Sequence, residues 1–345
     1  MIWLTWRQFR GQAATGLAVL AAMVLYLVIS GLAIRHAVLI GHIACVSQDD
    51  CGDSGWSFFF AHTAIFNFTQ VLFLAVVGLA GIFWGSPLIA HEFEAGTHQL
   101  AWNQSVTRGR WLVAKLLVLG AVSIAVVGLL DVLMAWWSRP LDPIAKTRYW
   151  AQVFPTHGFV AIGYGLFAFA TGVTAGLVLR RTVPAIAVAL ALFAGMQILM
   201  PTVVRAHLVP PATLTYPIDQ SMGDFTSWDY ATMGPQHYMH FGGLPTPQGS
   251  WKLSESPVET ADGRPVEMAA YAKCFVDPAE GTAQEKGGGL DLGQIGTCLA
   301  GYHLHESVTF QPADNYWPMQ WAETGVFTGL ALLMSGFCFL WVRRR

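Results

Sequence analysis

His91 and Glu92 open the stretch HEFEAGTHQLAWNQSVTRGRW, and His98 follows in the same stretch. Histidine and glutamate together are the raw material of a zinc hydrolase. Two imidazoles hold the ion and a carboxylate takes the proton of its bound water. The spacing refuses that chemistry. A zincin needs H-E-x-x-H, which puts both imidazoles one turn apart on one helix face. Here the next histidine comes two helical turns on, at a Cα separation of roughly 10 Å. Gly96 and Thr97 lie between them and favour a break. Two other clusters invite a metal reading: His237, Met239 and His240 in MGPQHYMHF, and His303, His305 and Glu306 in YHLHES. Thioether and imidazole ligands suit copper or zinc. These pieces are short and common in solvated loops, and no metal site is expected from them. ATP chemistry needs G-x-x-x-x-G-K-[ST], which is absent, and the cluster Gly287 to Gly289 has no Lys-Ser/Thr after it. A G-x-S-x-G nucleophile elbow is also absent. The residues give no positive ground for an enzyme.

The elements around these residues explain why. Hydrophobic residues make up 54% of the 345, and charged residues only 12%, about half the share in a soluble domain. So much apolar surface belongs in a bilayer. A spanning helix needs about 20 mostly apolar residues, and six runs qualify: 13–34, 56–90, 111–137, 158–179, 182–204 and 324–342. The first run is too long for a signal-peptide core and has no cleavage site after it, so it reads as a retained span. The net charge of −2 decides little, and no Lys/Arg block suggests nucleic acid.

The cations set the orientation. With six spans, Arg7, Arg10, Arg108, Arg110, Lys115, Arg180, Arg181 and Arg343 to Arg345 fall on one side, which the positive-inside rule makes the cytosol. Arg35, Arg139, Lys146 and Arg148 fall on the other, a mild departure. Both termini are expected inside. Cys45, Cys51, Cys274 and Cys298 all fall outside, where disulfides persist. Four cysteines allow three pairings, of which the local one, Cys45–Cys51 with Cys274–Cys298, is the simplest.

The expected fold class is therefore an all-α polytopic membrane protein of six transmembrane helices. A mixed α/β or irregular, disulfide-containing extracellular domain lies between helices five and six. Residues 1–12 read as an interfacial helix, 13–204 as five spans with a cytosolic loop at 85–111, 205–320 as the extracellular domain, and 321–345 as the sixth span with a basic tail. Polar residues in spans take a functional reading by default. Asn67 and Gln70, three apart and so on one helix face, and Gln197 could line a substrate path or serve as interhelical hydrogen bonds. Gly172 and Gly176 give the fourth span a small-xxx-small packing face.

The loop between the second and third runs has an apolar face (Ile89, Phe93, Leu100, Trp102), two carboxylates (Glu92, Glu94), a hinge (Gly96, Thr97) and a cationic return (Arg108, Arg110). HEFEAGTHQLAWNQSVTRGRWLVAKL resembles the first cytoplasmic loop of permease subunits of type-2 ABC exporters, in the form found in actinobacterial members. There an E-x-G-T piece precedes a short helix and an S-V-T/S-R-x-R-W-L-x-x-K return. The opening WLTWRQFR is similar to the family's N-terminal interfacial helix. Residues 205–320 fall outside the resemblance.

The resemblance implies a bacterial cell-membrane exporter subunit that moves an amphipathic drug, lipid or peptide. It implies two permeases per complex, two copies of this chain or this chain with a related one. A separate P-loop ABC ATPase would hold this loop as a coupling helix through Glu92, Glu94, Gly96, Thr97, Gln104, Ser105, Arg108 and Arg110. ATP and Mg would sit on that partner, with no cofactor in this chain. The rival expectation is a membrane-anchored sensor or receptor whose extracellular domain binds a ligand or metal.

Overall fold

Long apolar stretches become long helices, and among the described residues six of them organise this chain. The computed structural model describes residues 2–40, 52–94, 108–142, 148–219, 231–233, 238–241, 243–275, 285–286, 289–290 and 292–344. The six helices long and apolar enough to cross a membrane are Ala14–Ile40, Ser57–His91, Gly109–Ser138, Val160–Leu179, Thr182–His207 and Ala313–Arg344. The chain divides into two compact units, Met1–Leu208 with Tyr316–Arg345, and Val209–Asn315.

In the first unit, helix α1 spans Ile2–Ile40. The backbone of residues 2–12, where a short interfacial helix is expected, is helical and continuous with the first span. Helix α2 runs Gly52–Glu94 and α3 runs Arg108–Ser138. Pro87 lies inside α2 without ending it. The expected loop therefore begins after Glu94 rather than at residue 85. Helices α4, Val160–Leu179, and α5, Thr182–Leu199, follow. A π turn at Met200–Val204 and a 3-10 turn at Arg205–His207 extend α5. Pro201 has no N–H to give to the helix ladder, and the backbone rewinds around the missing bond.

Helix α4 is the centre of this unit, with 72% of its apolar window buried, and α2 is next with 67%; α5 is only 22% buried. The reason is glycine. A Cβ on Gly85 of α2 would stand 2.4 Å from the Phe169 carbonyl oxygen of α4, and one on Gly81 2.9 Å from that of Gly165. From the other side, a Cβ on Gly176 would stand 2.6 Å from the Ser86 carbonyl oxygen. Bare glycines let the two backbones touch, as small residues do between membrane helices. Polar ties also link the helices around this pair. Trp137 Nε1 of α3 donates to Ser30 Oγ of α1 at 2.9 Å, and the Tyr26 and Thr69 hydroxyls of α1 and α2 bond at 2.8 Å.

The second unit is built on a three-stranded antiparallel sheet in the order β1-β7-β4. Strand β1 is Ala212–Pro217, β4 Trp251–Glu255 and β7 His305–Gln311. Short pairs β2 (Ala231–Met233) with β3 (Met239–Phe241), and β5 (Glu285–Lys286) with β6 (Gly289–Leu290), complete the strands. Helix α6, Leu292–Leu299, carries Cys298, which is bridged to Cys274. The core gathers Ile218, Met239, Phe241, Val258, Cys274, Ile295, Leu299, Val308 and Phe310. The first and last strands pair directly, Ala212 with Phe310 and Pro217 with His305. Asn315 Nδ2 donates to the Pro210 carbonyl at 3.2 Å, so the unit's two chain ends meet. Cys45 and Cys51 lie outside the described residues.

Helix α7, Tyr316–Arg344, returns to the first unit. It begins well before residue 324, where the sixth run was expected. Tyr316, Gln320 and Glu323, which the apolar pattern left outside the span, form its buried first turns.

Candidate functional site

Two places in the first unit carry more polar chemistry than packing alone needs. One is where the end of α2, directly before the segment 95–107, meets the start of α5. Helix α4 ends at Leu179 and α5 starts at Thr182, leaving two residues for the turn. Arg180 takes a left-handed conformation (φ 54°) and Arg181 is extended. A helix start exposes unpaired N–H groups, and Ser, Thr, Asp or Asn usually satisfies one from the N-cap. Arg181 stands at that position and makes no side-chain cap. Glu94, the last residue of α2, supplies the acceptor instead. Its Oε1 accepts the Thr182 N–H and its Oε2 the Thr182 hydroxyl, both at 2.8 Å. These two bonds, backbone first, hold the Glu94 carboxyl below the usual carboxylate range, with smaller help from His91 and Arg181. Beside it the Arg180 guanidinium lies 5.5 Å from the centre of the Phe93 ring.

Of the other loop residues named from the sequence, Arg110 is exposed in the first turn of α3. Lys115, one turn deeper, sits 4.4 Å from the centre of the Trp111 ring. Glu92 and Arg108 are described in their backbone only. Gly96, Thr97, Gln104 and Ser105 lie outside the described residues.

The second place is a belt of buried polar groups at the opposite ends of the helices. Arg205, just past α5, gives Nε to Glu323 Oε2 at 2.8 Å and Nη2 to Glu323 Oε1 at 3.1 Å. The Tyr164 hydroxyl of α4 donates to Glu323 Oε1 as well. All three side chains are fully enclosed. The guanidinium also stacks on the Phe154 ring at 4.2 Å. Gln320 joins the belt by donating to the Phe154 carbonyl at 2.8 Å and accepting the Val160 N–H at 3.3 Å. Tyr316 donates to the His157 carbonyl at 2.8 Å, and His157 Nε2 lies 2.8 Å from Asp142 Oδ1.

The expected path residues fall unevenly on this frame. Gln70 is fully buried, and its Oε1 accepts the Thr156 hydroxyl. Asn67 is half-buried and accepts from Gln152 Nε2 at 3.5 Å. Both belong to the edge of the belt. Gln197 is on α5, apart from them, half-buried and with its Nε2 buried and unbonded. The structure brings the first two together and leaves the third separate. The Arg205–Glu323–Tyr164 cluster was missed because its two charges flank apolar runs rather than interrupt them. The available signal was two opposite charges, one just after the fifth run and one just before the sixth, at the same end of the bundle.

In the second unit, His240 Nδ1 lies 2.6 Å from Glu306 Oε1, and His240 Nε2 lies 3.7 Å from Glu255 Oε2. The imidazole therefore spends its two nitrogens on opposite neighbours. His305 lies 3.9 Å from Glu259. Among the described residues no three His, Cys, Asp or Glu side chains converge as metal ligands.

What the arrangement offers is mechanical and electrostatic. Among the described residues it contains long helices, a cross-helix cap and a buried ion pair. Comparison with known proteins agrees in kind: the family model described as ABC-2 membrane transporter related matches residues 17–205, more than half of the chain. No curated protein and no solved structure matches it.

Proposed function

The chain belongs to the ABC-2 membrane transporter related family, and on that premise we propose that it is the transmembrane subunit of an ATP-driven exporter. A separate P-loop ABC ATPase supplies the energy and grips the segment between α2 and α3. The family match over the first five spans is the observation that carries this reading. Six membrane-length helices and the absence of a Walker motif from the sequence support it.

The cytosol faces the ends that carry Arg110, Arg180, Arg181, Arg343 and Arg344, by the positive-inside rule. The Val209–Asn315 unit then faces outward, where its disulfide suits an oxidising compartment. Helices α1, α5 and α7 bury only 28%, 22% and 22% of their apolar windows. Those surfaces go to lipid and to a second permease, this chain or a relative. The path for an amphipathic drug, lipid or peptide runs along that interface. Gln197 lies half-buried on sparsely covered α5 and is the path residue we favour, since Asn67 and Gln70 are engaged within one chain.

Purification of the tagged chain from membranes, with the ATPase of a neighbouring reading frame co-expressed, tests the reading. The expected result is a complex that hydrolyses ATP, and Arg108→Glu with Arg110→Glu should release the ATPase. A chain that recruits no ATPase under any of these conditions is not an exporter subunit of this kind.

A further inference from the structure

Glu94 is oddly placed for its own helix. A carboxylate at a helix C-terminus faces the negative end of the dipole, while the N-terminus of another helix is where it gains. Both of its oxygens are spent there, on the N–H and hydroxyl of Thr182, at 2.8 Å each. Phe93 beside it meets Arg180 on the other side of the same turn. The last two residues of α2 therefore hold both flanks of the α4–α5 turn. They are also the residues directly before the segment 95–107.

The rest of the unit decides what this tie can transmit. Helices α2 and α4 are locked by backbone contact at Gly81, Gly85 and Gly176, so they move as one body. Helix α5 is only 22% buried, as is α7, and the start of α5 has no cap of its own. A pull on 95–107 reaches α5 through Glu94.

Resting on the proposed function above, we propose that Glu94 is a positioning residue. It does not bind the ATPase; it passes displacement of the cytosolic loop to the N-terminus of α5. This inverts its role as read from the sequence, where the carboxylate was expected to face the partner.

Two measurements test it. In the purified chain alone, amide exchange over residues 182–185 should rise at least tenfold in Glu94→Ala, rise less in Thr182→Val, and stay near wild type in Thr182→Ser. Unchanged exchange in Glu94→Ala overturns the proposal, because the cap then holds nothing. In the complex with its ATPase, bimane on Val203→Cys at the far end of α5 reports movement on addition of ATP, Mg and vanadate. Glu94→Ala should keep the ATPase bound and its basal turnover within twofold, yet lose the bimane response. Loss of the ATPase subunit in Glu94→Ala overturns the proposal in favour of a docking role. A retained bimane response overturns it in favour of another route. A wild-type chain that binds no ATPase defeats the exporter reading instead, and the exchange test still stands.

Discussion

Arg205 and Glu323 are both fully enclosed, and among the described residues each is the other's counter-charge. Enclosing two charges is costly, and the pair recovers that cost only while it stays whole. Glu323→Gln or Arg205→Leu alone should destabilise the chain by about 3–5 kcal/mol, since each strands one buried charge. The double variant Arg205→Leu with Glu323→Leu should recover most of the loss. Thermal unfolding in detergent checks both; equal losses in single and double variants would mean that the pair contributes nothing as a pair. Glu306 makes a second residue-scale prediction. Burial raises its carboxyl from 4.5 to about 8, against one backbone hydrogen bond from Phe241. The groups facing it are His240, Glu255 and Lys252. A raised folded-state value means that the folded form holds the proton more tightly. Its contribution is fully present below about pH 4.5 and is lost as pH rises through about 8. Amide exchange of the β7 strand in the intact chain should quicken over that window, and Glu306→Gln should flatten the change. Little of this was legible in the sequence: His305-Glu306 reads as part of a histidine-rich loop until β7 is paired, when the alternation along the strand turns Glu306 inward.

At the scale of elements, the contact between α2 and α4 was half legible. Gly172 and Gly176 announced a close face on α4, whereas Gly81 and Gly85 on α2 lay in a run that also looked like the start of a loop. Proline usually ends helices, yet Pro87 lies inside α2, where neighbouring helices in a membrane keep such a helix going. Gly85→Ala should cost about 1–3 kcal/mol, because its methyl meets the Phe169 carbonyl oxygen at 2.4 Å and backbone must give way. Gly195→Ala on α5 meets nothing within 4 Å and should be neutral or stabilising by up to about 1 kcal/mol through helix propensity. Unfolding midpoints of the two variants compared side by side decide it; an equal effect would remove the seam as the reason that α2 and α4 stay together. The six spans themselves were legible because apolar length is a strong signal. Their ends were not. Arg205, Tyr316, Gln320 and Glu323 are buried through pairing, and hydropathy cannot register pairing.

At the scale of the whole molecule, the second unit is where the sequence said least. Short strands separated by glycine and proline gave no periodicity long enough to read, and the pairing of β1 with β7 joins residues far apart in the chain. Yet that pairing says how the unit is carried. Its first and last strands lie side by side, and Asn315 reaches the Pro210 carbonyl at 3.2 Å. The family match ends at residue 205, just short of the same point. On the membrane side, Arg205 and Glu323 bind the two stumps to one another. The two chain ends of the unit therefore lie side by side, and so do the two ends of the first unit that continue into it. Such a module can be gained, exchanged or cut away in evolution, with a few linker residues from Leu208 to Tyr316 in its place.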